Sequence, residues 1–347
     1  MTQRAIPIAN IYYLLCYAWK RAAERSVVQL DELRDLNEVH DLLGKVLSEG
    51  TFRLFREGLD RGYREIQEDL SGIRGKIDIG QTVKRALRAQ GRVSCKYEEM
   101  THDVVHNRIL RATLKLLLRC KGLDPRVRQA VSGAFAKFSG VSEISLSRRV
   151  FQLVQLDRNR RYYWFLLSVC RLIHEQLLVD ESSGRTRFAE FSEDKMASLF
   201  EDFIKGFYQH EQQDFKVNHR GRSISWVANG TEENQLPMIP QMEADVIMDA
   251  PHRRIIIDAK YYSEALSGRY GPKLRSGHLY QLLAYLRNRE AEVGPIPKHE
   301  GILLYPTVDE NISVDVRLEG FRVSARSIDL SRDWQEIHQD MLAIVAQ

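Results

Sequence analysis

The sequence has few cysteines and no long hydrophobic run. Its four cysteines are widely separated and none belongs to a CxxC pair, so neither a zinc site nor a disulfide framework is indicated. No apolar stretch approaches the roughly 20 residues needed to cross a bilayer, and the opening MTQRAIPIAN has no signal-peptide core. We therefore expect a cytoplasmic protein with no membrane partner.

The sequence also lacks a phosphate-binding loop. The segment GIRGK, beginning at Gly72, is faintly similar to one, but it has neither the GxxxxGK[ST] spacing nor a following Ser or Thr. We therefore expect no nucleotide hydrolysis by this chain itself. The glycines around it suit a projecting hairpin or loop. Arg74 and Lys76 on that projection are either ordinary solvated charges or contacts to a partner.

Composition indicates a globular protein of more than one domain. The 347 residues are 44% hydrophobic and 28% charged, and that length suits about two domains of roughly 100 to 200 residues each. The net charge of +4 permits a nucleic-acid partner without requiring one. Apolar residues at helical spacing predict a first helix over 8–23, with Asn10 as its N-cap.

The most polar stretch of the chain, 180–187, predicts a linker. It divides the chain into a mainly helical domain over 1–185, with a glycine-rich β projection near 63–97, and a second domain over 186–347. Just before the linker, the basic and aromatic residues of 158–164 could either meet phosphates or pack in a core.

Two strand-like runs between Ile239 and Tyr262 carry charges where a buried strand is otherwise apolar. Asp245 interrupts the first run, and Asp258 and Lys260 interrupt the second. Side chains two apart in a strand point the same way, so Asp258 and Lys260 share a face. Turn residues between the runs predict a hairpin that brings Asp245 beside Asp258. Buried charges need partners or a metal, and two carboxylates suit Mg²⁺.

Further polar residues surround this hairpin in the sequence. Gln281 and Tyr285 are four residues apart on the following helix and share a face. Glu243 lies on the face of Asp245, but a solvent-facing or supporting position is favoured over metal binding. Glu201, just beyond the apolar stripe of an earlier helix, reads as a solvated acid rather than a site residue. A structural ion-pair cluster in a binding module is the alternative to a catalytic site.

This part of the chain resembles the PD-(D/E)XK nuclease core. The residues that carry the resemblance are Asp245, then Asp258-Ala259-Lys260, then Gln281-xxx-Tyr285, with Ala244 in place of the proline before the first acid. The chain as a whole resembles the McrC family, the nuclease subunits of modified-cytosine restriction systems. The segments that carry this similarity span nearly its full length and are IPIANIYYLLCYAW at 6–19, HNRILRATLKLL at 106–117, NRRYYWFLLSVCRLI at 159–173, PQMEADVIMDAPHRRIIIDAKYY at 240–262, LYQLLAYL at 279–286 and GILLYP at 301–306.

The resemblance implies an α/β chain, α+β overall. Its carboxy-terminal domain would be a restriction-endonuclease-like PD-(D/E)XK domain with a mixed central sheet flanked by helices. Asp245, Asp258 and the Ala259 carbonyl would hold Mg²⁺, and Lys260 would orient the attacking water or stabilise developing charge. Gln281 would support the site or contact a phosphate, with Tyr285 packing beneath it.

The resemblance also implies partners. The amino-terminal domain would dock into an AAA+ GTPase ring of the McrB type, which holds the GTP, reads modified cytosine of the 5-methylcytosine type and has its GTP hydrolysis stimulated. The substrate would be double-stranded DNA, cut at its phosphodiesters by a type IV restriction endodeoxyribonuclease that defends against foreign DNA. The alternative is a catalytically silent adaptor that only activates the AAA+ partner.

Overall fold

The structure is a computed structural model that contains both helices and strands, with more residues in helices than in strands. It describes residues 6–19, 36, 38–157, 160–179, 186–188, 193–217, 223–227, 238–261, 273–296, 298–307 and 311–346. The helices are α1 Ile8–Ala18, α2 Val39–Glu57, α3 Ile79–Lys84, α4 Val105–Leu118, α5 Pro125–Ala136, α6 Arg148–Gln152, α7 Arg161–Gln176, α8 Glu193–Glu211, α9 Ser276–Val293 and α10 Trp334–Ala346.

The strands are β1 Gly62–Leu70, β2 Lys76–Ile77, β3 Val93–Thr101, β4 Leu177–Val179, β5 Thr186–Phe188, β6 Lys216–Val217, β7 Ser223–Ile224, β8 Met242–Glu243, β9 Val246–Asp249, β10 Arg253–Ala259, β11 Lys298–Thr307, β12 Ser313–Leu318 and β13 Phe321–Asp329. No helix among the described residues is both long and apolar enough to span a membrane.

The chain divides into two compact units. One lies within 43–189, and the other combines 1–42 with 190–347. The first helix, α1, therefore belongs with the carboxy-terminal residues, whereas the sequence alone placed it in a domain over 1–185. The linker predicted over 180–187 lies largely outside the described residues, and its last two residues begin β5, which pairs antiparallel with β4.

The unit within 43–189 is mainly helical. Apolar side chains of α4 recur at helical spacing, and Ile109, Leu114 and Leu117 are fully buried. Helix α5 begins at Pro125, because the Asp124 carboxylate accepts a hydrogen bond from the Arg126 backbone amide (2.7 Å) and proline suits the first helical position. These local signals explain why this region is mainly helical, as the sequence predicts.

A small antiparallel sheet, in the order β1-β3-β2, forms the β element expected near 63–97. Strand β1 pairs with β3 along its whole length, from Gly62 opposite Thr101 to Leu70 opposite Val93. Between β1 and β2 the chain turns at Gly75, whose φ of 68° favours glycine. The sheet is thus a two-stranded ribbon with a short third strand.

A polar cluster ties the base of this sheet to the helices of the same unit. Asp60, just before β1, has His106 Nε2 2.7 Å from its carboxylate and also contacts the Arg160 guanidinium. The Tyr163 hydroxyl donates to Asn107 Oδ1 (3.0 Å) and accepts from the Asp60 amide (2.8 Å). Arg160 and Tyr163 therefore take part in the packing of this unit, whereas Trp164 is exposed and residues 158 and 159 lie outside the described part of the chain.

The second unit is built on a six-stranded mixed sheet in the order β12-β13-β11-β10-β9-β6. Strands β10, β11 and β13 are parallel neighbours, while β9 and β12 pair antiparallel at their outer sides. Strand β11 is buried along most of its length, as the run GILLYP predicts for a strand covered on both faces. Strand β12, exposed and charged, had no such signal and was not predicted.

Helices pack on this sheet and on one another. Helix α9 connects β10 to its parallel neighbour β11, and Leu282 and Leu286 pack with Leu303 in the core. Helix α1 covers Ile8–Ala18, and residues 20–23 of the predicted helix lie outside the described residues. Asn10 lies inside α1 rather than capping it. The Asn10 side-chain amide donates a hydrogen bond from Nδ2 to the Leu330 carbonyl at 2.8 Å, so this residue links α1 to the end of β13.

Candidate active site

The β9–β10 hairpin brings the two aspartates together. Val246 pairs with Ile257 in antiparallel register, so Asp245 and Asp258 stand at the same level at the end of β10. The Asp245 Oδ2 atom accepts a hydrogen bond from the Ala259 amide at 2.7 Å. This bond fixes the Asp245 carboxylate across the hairpin, as the strand and turn pattern predicts.

Lys260 lies between the Asp258 carboxylate and helix α9. Its Nζ is 2.7 Å from Asp258 Oδ2 and donates a hydrogen bond to Gln281 Oε1 at 2.9 Å. Its backbone amide donates to the Leu304 carbonyl on β11 at 2.8 Å, so the main chain is held as well. The lysine thus has a fixed position beside a buried acid, with its side chain 15% exposed.

The electrostatics of the acidic pair suit a bound cation. Burial raises the pKa of Asp258 to about 6; the Lys260 charge opposes that rise and the neighbouring Asp245 carboxylate adds to it. A carboxylate that is only 2% exposed and faces a second acid gains from any further positive charge. Two aspartates and the Ala259 carbonyl offer the oxygen donors that Mg²⁺ takes. The residues therefore fit the expected metal.

Gln281 and Tyr285 form a chain of hydrogen bonds from the lysine to the strand before the hairpin. Gln281 Nε2 donates to the Tyr285 hydroxyl at 2.6 Å, and that hydroxyl donates to the Glu243 carbonyl at 2.8 Å. Tyr285 is 4% exposed, and burial raises its pKa. Instead of only packing beneath Gln281, Tyr285 links α9 to β8.

His278 and Tyr305 also border the site and were missed from the sequence. His278 Nδ1 and the Tyr305 hydroxyl share a hydrogen bond of 2.9 Å. Burial, followed by the positive charge of Lys260, lowers the pKa of His278 to about 4. The His278 ring therefore lies close enough to the Lys260 ammonium for their charges to interact. The available signal was the spacing of His278, three residues before Gln281 on one helix face.

Two further predicted residues, Glu243 and Glu201, lie on β8 and α8. The Glu243 side chain is exposed and Glu201 is half-buried on α8. Within the described part of the chain, no group of three or more acids, histidines or cysteines could hold a metal. A pair of carboxylates remains compatible with Mg²⁺, because that ion usually keeps several waters.

Arg74 and Lys76 lie in the other unit, Arg74 in the turn before β2 and Lys76 on β2. The Arg74 guanidinium is 4.0 Å from the centre of the Tyr97 ring and 3.8 Å from a Glu99 carboxylate oxygen, and Lys76 is exposed. Both side chains are accessible in this chain. Their role as partner contacts stays a prediction.

Together, the mixed sheet and the aspartate, aspartate and lysine cluster at its centre define a mixed α/β protein with a charged site at the end of a buried strand. The profile of the family described as "McrBC 5-methylcytosine restriction system component" matches residues 9–306. The chain belongs to this family of McrBC restriction system components.

One relative and one solved structure are similar to this chain. The chain is 31% identical over 347 residues to the "Type IV methyl-directed restriction enzyme EcoKMcrBC" of Escherichia coli (strain K12), covering 99% of this chain and 98% of that protein. Its fold is similar to a chain in the solved half-complex of a tetradecameric assembly of Thermococcus gammatolerans McrB AAA+ hexamers with bound McrC. That match has a TM-score of 0.62 and 16% identity, and it covers 98% of this chain and 76% of the other.

Proposed function

We propose that this chain is the Mg²⁺-dependent endodeoxyribonuclease subunit of a modified-cytosine restriction complex. The observation that carries the proposal is the position of the Lys260 ammonium, 2.7 Å from the buried Asp258 carboxylate and bonded to Gln281. A surface ion pair contributes little and needs no such enclosure. A phosphodiesterase needs a fixed cation beside metal-binding acids, because negative charge develops on the phosphate.

The arrangement of strands supports a PD-(D/E)XK domain. An antiparallel hairpin carries both acids, helix α9 follows, and β11 returns parallel to β10. This order places the acids and the lysine at one end of a central strand, with the following helix able to reach them. Such a site is held by secondary structure on several sides, which is what precise positioning of reacting groups requires.

The residues of the site have different roles in the hydrolysis of a DNA phosphodiester. Asp245, Asp258 and the Ala259 carbonyl would hold Mg²⁺, which when bound supplies positive charge to the phosphate and makes a water molecule more acidic. Lys260 orients the attacking water and stabilises the extra charge on the phosphate oxygens. The attacking water loses one proton to the solvent as its oxygen bonds to phosphorus, the bond from phosphorus to one sugar oxygen breaks, and that oxygen takes up a proton from the solvent.

The partners follow from the family and from the missing phosphate loop. We infer an AAA+ GTPase ring of the McrB type, which holds the GTP and brings modified double-stranded DNA to this chain in the cytoplasm. The small sheet and the turn before β2, with Arg74 and Lys76 accessible there, are the candidate contact to that ring. Changing both residues to glutamate is expected to lower stimulation of the partner's GTP hydrolysis, with DNA cleavage falling in parallel.

A single substitution tests the nuclease site. Lys260→Ala, assayed with the GTPase partner, GTP, Mg²⁺ and methylated plasmid, is expected to lower cleavage by about 100-fold or more, because a donor to the developing charge is lost. Stimulation of GTP hydrolysis should stay at the wild-type level. Lys298→Ala, an exposed lysine at the start of β11, is the matched control and should cleave normally.

The same assay separates the alternatives. A wild-type chain that stimulates GTP hydrolysis but never cleaves DNA would support the silent adaptor. Wild-type cleavage that survives in a folded Lys260→Ala variant would instead leave Asp258 and Lys260 as a structural ion pair. For the metal, calorimetric titration with Mg²⁺ should detect binding to the wild type, and Asp258→Asn should weaken it at least tenfold, about 1.4 kcal/mol.

A further inference from the structure

We propose that His278 and Tyr305 are positioning residues whose shared hydrogen bond fastens helix α9 to the sheet, so that Gln281 holds the Lys260 ammonium against Asp258. The inference rests on the proposed role of Lys260 in DNA cleavage. Neither residue touches the reacting atoms in this arrangement. Both act through the helix that carries Gln281.

The bond between the two residues joins helix to sheet inside the core. His278 Nδ1 lies 2.9 Å from the Tyr305 hydroxyl, and His278 and Tyr305 are 7% and 0% exposed. Buried polar groups are costly unless they are hydrogen-bonded, and an apolar pair of similar size would fill the same space without that risk. A polar pair at this depth therefore gives a directional link that apolar packing does not.

The sheet end of the link lies next to the main chain of Lys260. Strands β10 and β11 are parallel, with Ala259 paired to Leu304, and the Leu304 carbonyl accepts the Lys260 amide at 2.8 Å. Tyr305 is the next residue along β11. The same short segment of β11 therefore holds both the lysine backbone and the start of α9.

The helix end of the link is placed to fix Gln281. His278 precedes Gln281 by three residues and Tyr285 follows it by four, so all three lie on one face of α9. Tyr285 makes the second link, through its hydroxyl to the Glu243 carbonyl at 2.8 Å. Gln281, which accepts from Lys260 Nζ at 2.9 Å, thereby lies between one hydrogen bond from α9 to β11 and one from α9 to β8.

The charge state of His278 is consistent with this role. Burial, with smaller effects from Lys260 and Arg275, lowers the pKa of His278 to about 4. The imidazole is then neutral at pH 7 and adds no second positive charge beside the lysine. The neutral ring can donate or accept a hydrogen bond at Nδ1, depending on its tautomer, so it can bond to the Tyr305 hydroxyl without repelling the Lys260 ammonium.

Tyr305→Phe removes the hydroxyl with little change of shape, and it is the first test. We expect the kcat for GTP-dependent cleavage of methylated plasmid to fall by about fivefold to tenfold, the effect of one lost hydrogen bond. The KM for DNA and the stimulation of GTP hydrolysis should change little. The melting temperature should fall because one buried hydrogen bond is lost, but the variant should stay folded at the assay temperature. His278→Leu should lose a similar factor, and the double variant little more, because both remove one bond.

Two further variants make the result specific. Tyr280→Phe, on the same helix but 70% exposed, should leave kcat unchanged. His278→Gln, whose amide can still bond to the Tyr305 hydroxyl, should recover part of the lost rate. Unchanged kcat in Tyr305→Phe, or a loss that follows the melting temperature alone, would overturn the proposal.

A spectroscopic measurement tests the positioning without relying on cleavage. In protein labelled with ¹³C at the lysine ε-carbons, the Lys260 signal is identified by its disappearance in Lys260→Arg. We expect it to shift in Tyr305→Phe and to stay in place in Tyr280→Phe. If the wild type fails to cut DNA, the proposed function fails while this measurement still decides the positioning role; an unmoved Lys260 signal refutes that role.

Discussion

Gly206 lies in the middle of α8, where this helix packs backbone to backbone against α1. A β-carbon built at Gly206 would overlap the Tyr17 carbonyl oxygen and lie 2.7 Å from the Tyr17 carbonyl carbon. Main-chain atoms in a helix cannot rotate away as the end of a flexible side chain can. Gly206→Ala must therefore push the two helices apart.

The cost follows from what surrounds this contact. An alanine in a helix interior gains about 1 kcal/mol over glycine when space allows, whereas overpacking a core costs about 1–3 kcal/mol. Separation of the helices also weakens the aromatic contacts of Tyr17 with Phe203 and Phe207, whose ring centres lie 5.8 and 5.2 Å away. Each such pair contributes about 0.5–1.5 kcal/mol. We expect a net destabilisation of about 2–4 kcal/mol.

Chemical denaturation followed by circular dichroism measures this free energy of unfolding. Because two units need not unfold together, hydrogen exchange of peptides from α1 and α8 should accompany it and show faster exchange there. Gly133→Ala in α5 is the matched control, since its β-carbon would meet Phe52 Cζ at an ordinary 3.5 Å. The reasoning is refuted if Gly206→Ala is as stable as the wild type.

Two predictions concern the unit within 43–189. The Arg108 guanidinium beside Asp103 holds the pKa of that carboxyl well below its usual range, so its stabilising effect is present above pH 4 and is lost as the pH falls through the folded-state pKa. Asp103→Asn should unfold about 1–3 kcal/mol more easily at pH 7, with the difference shrinking in denaturation curves taken below pH 3. Asp60→Asn weakens the contacts to His106 and Arg160, and we expect faster hydrogen exchange in β1 and β3; unchanged protection would show that the cluster does not anchor the small sheet.

The parts of the site that could be predicted from sequence are those set by local geometry. Strand alternation places Asp258 and Lys260 on one face, and turn residues between β9 and β10 bring Asp245 alongside. Helical spacing does the same for Gln281 and Tyr285. Each of these relations spans a few residues within one element or one hairpin, so the residue pattern contains it.

Relations between distant segments could not be predicted in this way. Asn10 carries the signature of an N-cap, yet its amide binds the carbonyl of Leu330, which lies 320 positions later. The bond between His278 and Tyr305 depends on how α9 packs across β11, which no short pattern specifies. Strand β12 was not predicted, because it is exposed and has no apolar run. It forms a strand through its pairing with β13 at the edge of the sheet.

By itself, the sequence determined which residues carry charge in otherwise apolar strands, because backbone geometry fixes the direction of neighbouring side chains. The tertiary structure alone decided that Lys260 Nζ reaches Gln281 and that Tyr285 reaches the Glu243 carbonyl. Those distances depend on the packing of α9 against the sheet, through apolar contacts that are not directional. The hydrogen bonds then select one position of that helix, because each requires its donor and acceptor within about 3 Å.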